Sequence, residues 1–433
     1  MIKKILKYLF LSLLVLIPAV ILVLITPSLW RHWVVYPKLD REAAEFQKLR
    51  KEPAVISKLN TYRGVMHVHS YLSHDSEGTL YDIIPAAKAD GIDFIFLSDH
   101  PRGDIDTLPQ GYKGYYDGVL IEPGSEKQGF NTWPLDSLII NWKQDKDTIA
   151  KNIVSGGGLI FYAHPEEPHN WANQYYQGME IYNFHADTKD EPVPPHIIDF
   201  IINGKKYRKW AYRQMFDEQN SILALWDSLN TKRKIVGFSA VDTHENQSIR
   251  ARFLKDGRIE WVGPDANVID TTEVRFWNKW LLNEPDKNGW IFKCMIDTYK
   301  EGFNYITNYL LADTLTVSSL ADHLKKGQLY TAFKSLGDAK GFMYYAVNQG
   351  DSITGIMGDS VNFEQLKSLN AISPLPGQFR LMHNGNTANI TTADDYQYTW
   401  SDMLEKGAYR IEMHIKIKGE YLPWLYSNPI YVY

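Results

Sequence analysis

The chain has 433 residues, 44% of them hydrophobic and 22% charged, with a formal net charge of −5. That balance excludes a disordered or fibrous chain and a nucleic-acid surface built on bulk basicity, so no nucleic-acid partner is expected; the length fits two or three domains at roughly 150 residues each. The single cysteine, Cys294, rules out a disulfide framework and any cysteine-built zinc or iron–sulfur site, so a metal must rest on carboxylates and the 13 histidines.

Lys3, Lys4 and Lys7 precede an uncharged run over residues 8–30. At about 1.5 Å per residue the run is long enough to cross a hydrocarbon core of about 30 Å, with a kink at Pro18, which lies mid-run. The flanking lysines put the N-terminus in the cytoplasm, and Trp30, Trp33 and Tyr36 read as an interfacial belt. The expectation is a single-pass membrane anchor over residues 1–36, with a catalytic body that is periplasmic or extracellular. A cleaved signal peptide is the alternative, disfavoured by the length of the run and the lack of an A-x-A site. Residues 37–60 are charged and helix-favouring, a spacer.

From residue 61 one arrangement recurs: a short apolar run, rich in Val, Ile and Phe, ends in a metal-capable side chain. RGVMHVHS ends in His67 and His69, FIFLSDH in Asp99 and His100, GVLIEPGSE in Glu126, and GLIFYAH in His164. GMEIYN carries Glu180, and KIVGFSAVDTH ends in Asp242 and His244. Such runs read as buried parallel strands, and residues i and i+2 on a strand, such as His67 and His69, share a face. Helices are predicted between them. Thr79 caps TLYDIIPAAKAD, with Asp82 three residues on, Gly91 as the stop and Pro85 inside; DKDTIAKNIVS closes at Gly156-Gly157-Gly158. Strand–helix alternation with functional residues at strand C-termini is the pattern of an α/β barrel.

HVHSYLSHDSEGT (67–79), FLSDH (96–100), PGSE (123–126), FYAHP (161–165), MEIYN (179–183) and DTH (242–244) together resemble the motifs of the PHP (polymerase and histidinol phosphatase) superfamily of metallohydrolases. SHD after the HxH pair, KGQLYTAFKSLGDAKGF (326–342) and WLYSNPIYV (424–432) are most similar to the branch that includes carbaryl hydrolase. The resemblance implies a distorted (β/α)7 barrel over residues 61–338, with helical insertions and two or three divalent ions, zinc, manganese or iron, at its rim. His67, His69, Glu126 and Asp242 would hold one ion; Glu126 would bridge to a second, with His164. A third would use His100, His244 and either His74 or Asp75. The branch usually carries a histidine shortly after the bridging glutamate, whereas here Glu126 is followed by Lys127-Gln128-Gly129-Phe130-Asn131, without that histidine.

The function so implied is a metal-dependent phosphoesterase using a metal-bound hydroxide, with Asp242, Glu126 and His100 as catalytic residues and a small-molecule phosphoester or ester as substrate. Hydrolysis of carboxylic or carbamate esters on the same core, and a non-catalytic metal-stabilised binding protein, are the alternatives. Arg102 and His169, on loops beside the strand ends, are candidate substrate contacts; Glu180 and Asn183 are candidates to fix an imidazole tautomer. Residues 186–234 and 246–310 follow strand ends and are expected to wall or cover the site. From about residue 340 the pattern changes. Tyr409, Ile411, Met413, Ile415 and Ile417 alternate with Arg410, Glu412, His414, Lys416 and Lys418, predicting half-buried antiparallel strands and a C-terminal β-sandwich over residues 339–433.

Overall fold

Eight short strands carry the residues singled out above or lead into them. The computed structural model describes residue 16 and residues 22–135, 139–189, 193–245, 248–263, 267–286, 289–295 and 297–433, a mixed α/β chain with one large sheet. The strands are β1 (Asn60–Val68), β2 (Phe94–Leu97), β3 (Val119–Glu122), β4 (Ser125–Lys127), β5 (Phe130–Trp133), β6 (Leu159–Tyr162), β7 (Gly178–Asn183) and β8 (Val236–Thr243). β1 pairs in parallel with β2, and β2 with β3; β4 continues from β3 and bridges back to Asp99. β4 to β5 and β5 to β6 are antiparallel, whereas β6 to β7, β7 to β8 and β8 to β1 are parallel. The pairings return to their starting strand.

Because side chains alternate along a strand, each strand feeds two cores. Phe94 and Phe96 of β2, Trp133, Phe161 and Phe238 belong to one; Ile95, Leu97, Ile160 and Val241 belong to the other. Rings of Phe96, Trp133, Phe161 and Phe238 meet at centroid distances of 5.4 to 6.3 Å, so four strands are stitched together by aromatic contacts. The helices between them start and stop on local chemistry. Thr79 and Asp82 form a capping box on helix Leu80–Asp90, which runs through Pro85 and ends at Gly91 with φ +63°. Asp145 caps Lys146–Ser155, which ends at Gly156.

The expected membrane span and single-pass topology are corrected here. Among the described residues no helix is long and apolar enough to cross a membrane. Residues 1–15 and 17–21 of the expected anchor lie outside the described residues. Residues 22–30 are helical and run through a π-helical turn, Arg31–Val35, into helix Tyr36–Gln47. Arg31, His32 and Tyr36 of this stretch face helix Val193–Asn203. Arg31 pairs with Asp199 at 3.1 Å, Tyr36 donates to Asp199 at 2.5 Å and is fully buried, and Asn203 reaches both His32 and the carbonyl of Ser28. Of the expected aromatic belt, Trp30 and Trp33 are exposed and Tyr36 is not.

Residues 248–295 form a small antiparallel sheet of four strands, Ser248–Phe253, Ile259–Val262, Val268–Thr272 and Trp290–Met295. It joins the body where Arg250, buried under Trp290, pairs with Glu77. Beyond residue 340 a long strand, Leu366–His383, bends between Ile372 and Gly377, where Pro374 and Pro376 interrupt its ladder. Its first half pairs with Met343–Asn348 and Asp395–Trp400, its second with Asn386–Ile390 and Gly407–Ile417. Gly407–Ile417 is not half-buried, as its alternation predicted: Arg410, Glu412 and His414 are as buried as the apolar side. The polar face is covered by helix Asn220–Asn230, whose Asp227 takes a bidentate pair from Arg410 at 2.6 and 2.8 Å.

Candidate metal centre

The backbone is unusual where β1 and β8 end. His67, His164 and Asp242 have φ of +61°, +49° and +48°, a left-handed conformation uncommon for non-glycine residues and concentrated at functional sites. His67 is the extra residue of a bulge: Met66 and Val68 pair with successive residues of β2, and with Ala240 and Thr243 of β8. His69 lies past the end of β1, held by its N–H on the Thr243 carbonyl at 3.1 Å. The bulge, rather than simple alternation along one strand, is therefore what turns both imidazoles inward.

Two groups of ligand atoms, each within 4.8 Å of one another, result: His67, His69, Glu126 and Asp242; and His69, Asp75, His100 and His244. Glu126 stands between them. Its Oε2 faces His67 at 2.9 Å, His69 at 3.4 Å and His100 at 3.5 Å, and its Oε1 faces His164 at 3.3 Å. The imidazoles share one orientation. His67 Nδ1 donates to Glu180 at 2.5 Å, His164 Nδ1 to Glu166 at 3.0 Å, His100 Nδ1 to the Glu126 carbonyl at 3.0 Å, and His244 Nδ1 to the Asp242 carbonyl at 2.9 Å. In each case Nε2 is left facing a carboxylate: Glu126 for His67 and His164, Asp75 for His100 and His244. A donor on one ring nitrogen fixes the tautomer that presents the other as a ligand, the usual arrangement around metal-binding histidines.

The carboxylates are also held from behind. Glu180 accepts from Asn131 at 2.7 Å, Asn183 at 3.1 Å and the His164 N–H at 3.0 Å. Asn183 spans to Asp242 Oδ2 at 3.1 Å. Burial pushes His67 down, but Asp242, Glu180 and Glu126 outweigh it and hold it well above the ordinary imidazole value. By the same balance His100, beside Asp75 and Glu126, rises to about 9, and His164, beside Glu126 and Glu166, to about 12. The carboxyls of Glu126 and Asp242 lie well below the usual range: burial acts upward, and the imidazoles around them, His67 foremost, prevail.

Whether a divalent ion fits can be judged from polar atoms left over. His69 Nε2 and Asp242 Oδ1 are buried and make no hydrogen bond, although they lie 3.3 Å apart. Buried polar groups are nearly always satisfied, so two unsatisfied donor atoms facing one point, among an all-N/O set, suit a divalent cation. The histidine/acid groups thus fit divalent metal binding.

The remaining expected residues fall as follows. Asp75 joins the second group; His74 is exposed and meets His100 only ring to ring, at 5.2 Å. His169 packs on Tyr162 and donates Nε2–H to the His164 carbonyl at 2.8 Å. Arg102 is exposed and lines a different cavity with Tyr71, Leu72 and Thr107. A cavity of about 480 Å³ opens on Glu126 and His164, walled by Glu166, Glu167, His185 and Asp187 and by Gln219 and Ile222 of the helical insertion. Residues 246–310 contribute Asp297, which accepts the His244 N–H at 2.8 Å and which burial pushes up to about 7, and Tyr299, which donates to the His69 carbonyl at 2.6 Å. Asp297, Glu166 and the supporting role of Asn131 carried no sequence signal, since none sits in a motif at a strand end.

No protein-family model and no curated protein matches the chain. Among solved structures, the chain is similar to a two-domain protein from Bacteroides vulgatus ATCC 8482 containing a predicted PHP-like metal-dependent phosphoesterase. The identity is 12% and the TM-score 0.36, over 87% of this chain and 98% of that chain. The two folds superpose only loosely at that score.

Proposed function

We propose that this protein is a metal-dependent hydrolase of ester bonds, a phosphoesterase built on a PHP-type core. The observation that carries the reading is the shared orientation of His67, His100, His164 and His244, each anchored through Nδ1 with Nε2 turned to Glu126 or Asp75. The closed circuit of strand pairings supports a distorted (β/α)7 barrel as the scaffold, and the bent strand Leu366–His383 supports a sandwich after it. His67, His69, Glu126 and Asp242 would hold one divalent ion, and Asp75, His100 and His244 a second, with His164 contributing through Glu126. When bound, such ions polarise the scissile group and make water acidic enough to attack at neutral pH. Asp242 is fixed by Asn183 on Oδ2, which leaves Oδ1, free of hydrogen bonds, available as a ligand. Glu180 holds His67 in the tautomer required.

One observation favours a second reading, hydrolysis of carboxylic or carbamate esters. The described residues lining the cavity include Glu126, Glu166, Glu167 and Asp187 but no Lys or Arg, an unfavourable field for a dianionic phosphate. Full-length protein assayed on 4-nitrophenyl phosphate, bis(4-nitrophenyl) phosphate and 4-nitrophenyl acetate separates the two, with metal content measured in parallel. Phosphodiester turnover abolished by chelation and restored by zinc or manganese is expected. Turnover of the acetate alone would transfer the conclusion to the second reading, and protein that binds no ion and turns over nothing would overturn both.

A further inference from the structure

A second cluster lies away from the strand ends, where the C-terminal strands meet the body. Glu412 and His414 are two residues apart on strand Gly407–Ile417 and share its polar face. Glu218, just before helix Asn220–Asn230, faces them, and one ligand atom from each of the three lies within 4.8 Å of the others. The two carboxylates are steadied from outside. Arg410 donates to Glu412 Oε1 at 2.6 Å, and Tyr426 donates to Glu218 Oε1 at 2.8 Å. Glu412 Oε2 is then turned to His414 Nε2, at 3.7 Å, too long for a hydrogen bond.

His414 points independently to a ligand. It is 2% exposed, and neither ring nitrogen has a hydrogen-bond partner. An imidazole buried to that extent with both nitrogens unsatisfied is rare, and its Nε2 faces the Glu412 carboxylate. A cavity of about 280 Å³, lined by Glu218, Asp227, Arg380, Arg410 and Glu412, offers an entry path. One imidazole and two carboxylates are a donor set for zinc or another first-row divalent ion, with water completing the shell.

We propose that Glu218, Glu412 and His414 form a second divalent-metal site that clamps the C-terminal strands to the body. The clamp acts on the wall of the first cavity. Gln219, next to Glu218, lines that cavity and donates to Asp187, which also accepts the Asp217 N–H. Fixing Glu218 therefore fixes the segment on which Gln219 stands.

The test uses full-length protein carrying His67→Ala, His69→Ala, Glu126→Gln and His244→Ala, which leave at most two ligands in any donor group at the strand ends, titrated with Zn²⁺ after chelation. One ion per chain is expected to remain bound and to raise the melting temperature. Adding His414→Ala should remove both the ion and the shift while leaving the circular dichroism spectrum unchanged. Absence of the ion in the first variant, or its retention after His414→Ala, overturns the proposal; the former is the result if His414 merely packs beside Glu412, the latter if the ion sits elsewhere. Should the first variant not fold, metal analysis of otherwise unaltered protein with Glu218→Gln must read one ion fewer per chain than the parent, and equal counts overturn the proposal equally.

Discussion

Each imidazole near Glu126 is prepared through its far nitrogen, and that preparation can be measured. Replacing Glu180 by Gln leaves a partner for His67 Nδ1 but removes the charge, and metal affinity should fall 10- to 100-fold (an order-of-magnitude figure) with the fold intact, read by competition with a chromophoric chelator. Protons bear on the same site. In the ion-free chain His67 is held well above its ordinary value, His100 sits at about 9 and His164 at about 12, so all three are protonated at neutral pH. A divalent ion must displace those protons. Calorimetry in buffers of different ionisation enthalpy should show proton release on loading, and affinity should weaken as pH falls. Stability of the ion-free protein runs the opposite way: a raised imidazole contributes fully below its unfolded value of about 6.5, and that contribution is lost as pH rises through the folded one. Chelated protein should therefore lose stability between pH 7 and about 10, first through His100, as urea denaturation at stepped pH would show.

Elements were legible where their cause is local. Thr79, Asp82 and Gly91 bound a helix through their own backbone contacts, and Gly327, with φ +77°, ends Val317–Lys326 for the same reason. Strand ends bearing His67, Glu126, His164 and Asp242 were visible as apolar runs with polar tips. The His67 bulge was not, because it arises from pairing with two neighbouring strands distant in the chain. Nor was the burial of Arg410, whose cover is a helix some 180 positions earlier. Periodicity reports that one face differs from the other, not that both are enclosed. Arg410→Ala would leave Asp227 and Glu412 buried without their cation, at a cost of about 3–5 kcal/mol by urea denaturation. Arg410→Met combined with Asp227→Leu and Glu412→Leu should recover much of it, since apolar replacement of a whole buried ionic group is often tolerated.

For the whole molecule, hydropathy showed a long uncharged run near the N-terminus but could not show what its end packs against. Arg31, His32 and Tyr36 engage helix Val193–Asn203. Removing residues 1–47 takes away buried Tyr36 and strands Asp199, and should lower stability by about 3 kcal/mol or more while metal content is retained, because every candidate ligand of the first cluster follows residue 66. Differential scanning calorimetry with elemental analysis on the same samples checks both halves of that statement.

His69 belongs to both groups of donors at the strand ends, and a neutral imidazole has one lone pair to give. Whichever ion claims it leaves its neighbour with only three side chains. The pair of positions is thus built to fill in sequence, a tight occupant first and a more exchangeable one second, and a dose curve for metal would climb in two steps rather than one.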